Sequence, residues 1–328
     1  MKKIQHVSCM QSMGILLVVV GHALPPEGFM IIPNFAIFLK KVIYSFHMPL
    51  FMFLAGVVFI NFSKKEDYFT FIKKKALRLI VPYIFFITFT TILKGIFSEF
   101  AANPIQLNIE LLVHSILFPG SAVIVNYWFL ATLFCIFITS PFSRKIYAAN
   151  TDYALITIAL IVLNIYNPLS NMQLFSINMF FDLLIYFWLG CMAVKYYSSI
   201  SNALNSIYTF AVSIILLCVL NFFDRHILLE ISFIKAVVGI AVMWSLSMFY
   251  IESKYTFIDF LNGKNYSIYL LHGVIGLFIG SLLKGLSSGF YWYFVIVTLT
   301  SMLIPVACIN VIKYLKLDNK VVKALLGL

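Results

Sequence analysis

Long apolar runs alternate with short polar or basic breaks along the whole chain. Ten runs recur, at roughly 8–25, 42–62, 79–98, 126–143, 152–169, 178–195, 207–223, 231–250, 265–284 and 290–313. Each approaches the ~20 residues a helix needs to cross a hydrocarbon core of ~30 Å. None shows the period-two alternation that the strands of a membrane barrel require. The pattern predicts an all-α, polytopic integral membrane protein of about ten transmembrane helices, forming one transmembrane domain over residues 1–328.

Composition fixes the solvent. The 328 residues are 62% hydrophobic and only 11% charged, and the mean hydropathy of +1.00 is far from that of soluble domains. Basic residues then orient the bundle. A cytoplasmic N-terminus and an even number of spans put both termini on the cytoplasmic side, together with 17 of the 23 Lys and Arg. The exceptions are Lys40, Lys41, Lys94, Arg225, Lys235 and Lys284. The net charge of +11 is thus a record of topology and of attraction to anionic membrane lipid, and nucleic acid is not an expected partner.

Cys9, Cys135, Cys191, Cys218 and Cys308 stand singly, so neither a disulfide framework nor a bound metal is expected. The first helix has a basic start but no small-residue cleavage motif, and is expected to be retained. An amphipathic patch, "IELLVHSIL", is expected on the outer interface.

Polar residues inside such spans are expensive and usually face a bundle interior or a wet cavity. The stretch "VVVGHALPP" carries His22 at the end of a charge-free run. Gln11 lies eleven residues earlier, close to three helical turns, so the two side chains share a face about 16 Å apart. A histidine merely hydrogen-bonded to a neighbouring helix is the plain alternative. A proton-transfer role is favoured, because imidazole titrates near neutrality and is the usual group for moving a proton to or from a hydroxyl.

Four further stretches bear on chemistry. In "FHMPLFMFLAG", Pro49 suits the first turn of a helix, Gly56 and Ala55 permit close helix approach, and His47 falls at the outer mouth, where hydration by headgroup water is as good a reading as a site role. In "KKKALRLIVPY", Lys75 and Arg78 are one turn apart, a geometry suited to phosphate oxygens, although charge alone reads as a membrane anchor. "YSIYLLHG" puts His272 well inside the ninth helix, and "YWFLATLF" puts Tyr127 and Trp128 at the outer start of the fourth, where the ordinary aromatic belt is the plain alternative. Asp182 has two candidate partners, a histidine or Arg225.

Taken in order and spacing, "ILLVVVGHA", "FHMPLFMFLAG", "KKALRLIVPY", "YWFLATLF" and "SIYLLHG" resemble the membrane-bound acyltransferase family 3, in particular its fucose-acetylase-like and other polysaccharide O-acetyltransferase members. The resemblance covers essentially the whole chain. It implies an enzyme of the cell membrane that moves an acyl group, usually acetyl, from cytoplasmic acetyl-CoA to a sugar hydroxyl of a surface glycan or its lipid-linked precursor. The family's first-helix histidine maps to His22 as the catalytic residue. Its arginine position maps to Gln11, a departure, since glutamine can hydrogen-bond a pantetheine arm but cannot neutralise a phosphate. Lys75 and Arg78 match the family's basic pair, which shifts them toward CoA phosphates. His47, Trp128 and His272 are expected to line the acceptor side or to position His22. His22 serves either as general base or as transient acyl carrier. A transporter or flippase of lipid-linked sugars is the rival reading, although residues 1–164 and 165–328 show no repeat of the kind such folds often carry.

Overall fold

In lipid every backbone polar group must be satisfied within the protein, and an apolar run does this by closing into a helix. The computed structural model describes residues 2–25, 30–62, 67–100, 104–149, 152–223, 231–253, 258–283 and 289–327. Its helices are α1 (Lys2–His22), α2 (Asn34–Tyr44), α3 (His47–Phe62), α4 (Tyr68–Ile96), α5 (Ile109–Leu117), α6 (Trp128–Ala149), α7 (Tyr153–Ile165), α8 (Phe180–Lys195), α9 (Tyr197–Leu204), α10 (Ile207–Phe222), α11 (Ser232–Glu252), α12 (Asn265–Leu283), α13 (Phe290–Tyr314) and α14 (Lys320–Leu326). No strand occurs among the described residues.

Each of the ten apolar runs coincides with a helix, yet the expected count of ten spans is not supported. Among the described residues, seven helical segments are long and apolar enough to cross a membrane, with Asn34–Asn61 taken as one, and eight if α9 and α10, bent by 83°, make one span. The two shortfalls have physical causes. At 13 residues α7 is about 20 Å long, less than the hydrocarbon thickness. Helix α1 is long enough, but Gln5, His6, Ser8, Gln11 and Ser12 make its first half polar.

Those polar residues are affordable because α1 runs through the centre of the bundle, against α2, α3, α11, α12 and α13. Ser8 and Ser12 donate to the Asn262 side-chain oxygen at 2.9 and 3.0 Å, and a His6 ring nitrogen lies 3.3 Å from the Trp244 carbonyl. Its apolar face, including Met10, Ile15, Val18 and Val19, enters one core with Leu50, Met52, Phe187 and Trp188. Helices α3 and α8 approach to backbone contact. A Cβ built on Gly56 would strike the Phe187 carbonyl and one on Gly190 the Phe53 carbonyl, so only glycine allows these backbones to touch. As expected, Pro49 lies in the first turn of α3 and Gly56 at the contact.

Helix α4, 29 residues long, is opened by Asp67, whose side chain accepts from the Thr70 amide at 3.0 Å. The patch "IELLVHSIL" is α5, which lies against α4 and receives the Tyr83 hydroxyl at the Ile116 carbonyl. Arg225 and Lys284, placed on the outer side by the charge pattern, lie outside the described residues.

Candidate active site

Helix α1 ends at His22 on the wall of a cavity of about 1510 Å³. His47, the first residue of α3, and His272, midway along α12, line the same cavity, as does Trp128 at the start of α6. Residues separated by up to 250 positions are thereby brought together. The His22 and His272 rings are 5.3 Å apart between centroids. Tyr44 lies between the other pair, 5.7 Å from His22 and 4.9 Å from His47. Tyr44 and His47 are three positions apart, one helical turn, and so face one space. Gly21 makes room for Tyr44, since a Cβ there would come within 2.7 Å of the Tyr44 ring.

Hydrogen bonds orient the three imidazoles. The His47 Nδ1–H donates to the Ile43 carbonyl at 3.0 Å, and the His272 Nδ1–H to the Tyr269 carbonyl at 2.7 Å. A carbonyl can only accept, so this network assigns the proton of each neutral ring to Nδ1 and leaves Nε2 with its lone pair. The His272 Nε2 is buried and has no hydrogen-bond partner among the described residues. The His22 ring, in contrast, is exposed to the cavity, with Nδ1 3.4 Å from the Tyr44 hydroxyl. Its Nε2 is therefore the nitrogen left for a ligand. Tyr44 also donates to the Gly21 carbonyl at 3.2 Å.

The frame behind His272 is rigid. Tyr127 donates to the Leu270 carbonyl at 2.9 Å, Tyr269 donates to the Asn126 carbonyl at 2.5 Å, and a Cβ on Gly273 would collide with the Asn126 side chain. These contacts tie α12 to the start of α6, and with it His272 to Trp128. Another wall of the cavity is polar and includes Asn164, Asn167 and Asp182. Asp182 accepts from the Asn167 amide at 2.8 Å through its side chain and from Asn164 at 2.9 Å through its carbonyl. It sits in the first turn of α8, where the helix dipole favours a negative charge. Phe175 and Ser176, at φ 50° and 51°, form the left-handed turn that leads into this helix. Of the two partners expected for Asp182, Arg225 lies outside the described residues, and the bond seen is to an asparagine.

Lys75, Arg78 and Gln11 do not line the cavity. Lys75 lies 3.9 Å from the Phe137 ring centroid, and Arg78 lies 5.8 Å from that of Tyr266, whose hydroxyl donates to the Arg78 carbonyl at 2.6 Å. Thr90 and Lys94, which do line it, are 12 and 16 residues further along α4, or about 18–24 Å. Gln11 is likewise about 16 Å along α1 from His22, beside Ser12 and its partner Asn262. The basic pair and the histidines thus occupy opposite ends of one bundle. Three features escaped the sequence reading as site elements: Tyr44, the asparagine wall and Lys94. Only the spacing of Tyr44 and His47 in "YSFH", one helical turn, gave a signal.

A family profile described as an acyltransferase domain, of the acyltransferase 3 type, matches residues 5–310. The nodulation protein NolL of Mesorhizobium japonicum is 28% identical over 130 residues, which are 38% of this chain and 31% of that protein. The match spans about a third of that relative's length. No solved structure matches the chain.

Proposed function

The chain belongs to the acyltransferase 3 family, and from that premise we propose that it moves an acetyl group from cytoplasmic acetyl-CoA to a sugar hydroxyl of a surface polysaccharide or its lipid-linked precursor. The observation that carries this reading is the convergence of His22, His47 and His272 on one large cavity. In the proposed reaction His22 Nε2 takes the proton of the acceptor hydroxyl as its oxygen attacks the thioester carbonyl. The carbon–sulfur bond then breaks, and the thiolate of CoA leaves and takes up a proton. The same nitrogen also suits direct attack, which gives an acyl-imidazole that the hydroxyl then resolves. His272, with an unpartnered Nε2 beside His22, stabilises the imidazolium; Tyr44 holds the ring from Nδ1.

Lys75 and Arg78 are assigned to the CoA phosphates, and Gln11 to the amides of the pantetheine arm. Their separation from His22 along the bundle suits a donor that enters from the cytoplasmic end and reaches inward. Trp128 offers an apolar face to a sugar ring, with His47 beside it. The test is acetyl-CoA turnover by purified protein in liposomes supplied with donor outside and a glycan acceptor inside. Release of free CoA that depends on His22 supports the proposal. Glycan movement without CoA release sinks it and favours the transporter.

A further inference from the structure

Lys94 is a cation facing the cavity from the last turn of α4, among Thr90, Leu93 and Phe97. It is half-buried, and no hydrogen bond, ion pair or ring contact engages it among the described residues. Asp182, a carboxylate of the same cavity, is bonded to Asn167. A helix C-terminus does attract a cation, but that attraction is met at the surface and gives no reason to turn the charge into a cavity. Desolvating an ammonium without a counter-charge is costly, so such a group is kept where a ligand brings the charge. A second cation stands at the same end: Lys40, 5.2 Å over the ring of Tyr44, which in turn contacts His22. Both are exceptions to the charge pattern that gathers basic residues at the other side of the bundle.

We propose that Lys94 binds an anionic group, carboxylate or phosphate, carried by the acyl acceptor, so that the substrate class is an acidic or phosphorylated glycan. The inference rests on reading the histidine cavity as the acyl-transfer site. A fixed positive charge beside an apolar cavity both concentrates such a ligand and sets its register against His22.

The test measures binding without acyl donor, so that it stands apart from turnover. Octyl glucuronide, octyl phosphate and octyl glucoside are titrated calorimetrically into protein in phosphatidylcholine nanodiscs, with empty nanodiscs subtracted. The anionic probes are expected to bind about tenfold more tightly than octyl glucoside. Lys94→Met should abolish that preference, while Lys94→Arg and His22→Ala keep it. Whichever of the two anionic probes binds better names carboxylate or phosphate. Equal binding of all three probes by the wild type, or a preference that survives in Lys94→Met, overturns the proposal. Failure of the acyl-transfer reading shows separately, as absent CoA release with the probe preference intact.

Discussion

The Gly56–Gly190 contact permits a sharp test of how packing sets the site. Replacing either residue by alanine drives a methyl group into a backbone carbonyl of the opposing helix, Phe187 in one case and Phe53 in the other. Neither carbonyl can swing aside, because each belongs to a helix. The Cβ on Gly56 would also lie 3.2 Å from the Cys191 amide and that on Gly190 3.1 Å from the Val57 amide, so lateral escape is blocked. Helices α3 and α8 must then separate by about 1 Å before ordinary van der Waals distance returns. Overpacking of this kind costs about 1–3 kcal/mol. It also moves His47 on α3 and Asp182 on α8, and a displacement near 1 Å at a reacting centre costs about 10²-fold in rate.

Gly56→Ala and Gly190→Ala should each lower the unfolding midpoint in detergent and reduce acyl transfer about 10²-fold. The double variant should lose less stability than the two single losses together, because the first methyl has already parted the helices. Thermal unfolding by intrinsic fluorescence, paired with turnover of the folded fraction, reads both effects. Midpoint and turnover unchanged in either single variant would refute the account of this interface.

Other perturbations address the site itself. If the proposed assignment of Arg78 to the CoA phosphates holds, Arg78→Ala should raise the acetyl-CoA KM about tenfold with a smaller change in kcat, read from initial rates. Trp128→Ala should raise the acceptor KM and leave the donor KM unchanged, since the ring stands at the cavity and far from the basic pair. Tyr127→Phe removes a buried hydroxyl that donates to the Leu270 carbonyl at 2.9 Å, and should destabilise by about 1 kcal/mol in a denaturation series. His272→Phe keeps ring volume but removes the acceptor beside His22, and should lower kcat about 10²-fold with little change in the unfolding midpoint.

Much of the fold was legible because each apolar run has no alternative but helix in lipid. The glycine contact was legible too, since Gly56 follows Ala55 on an otherwise bulky helix. The number of spans was not. The apolar second half of α1 reads as a span, whereas its first half is polar and holds Ser8 and Ser12, whose partner Asn262 lies 250 or more positions away. Helix α2 was likewise missed in large part, because the expected run began at 42 whereas the helix begins at Asn34. His22, His47, Trp128 and His272 stood out singly as polar or aromatic residues in costly places, and the structure brings them to one cavity. What joins them is interhelical, and no local period encodes it. Tyr44 escaped notice because a tyrosine near an interface looks like ordinary belt residue, and Lys94 because it looks like an anchor.

The most direct test of the central claim is acetylation of the host's surface glycan in a deletion strain complemented with wild type or His22→Ala at matched membrane levels. Mass shift and base-labile acetate give the readout. The account expects acetate to return with wild type and to be absent with His22→Ala, whose unfolding in detergent matches that of the wild type. Acetate restored equally by both would contradict the claim that His22 carries the chemistry.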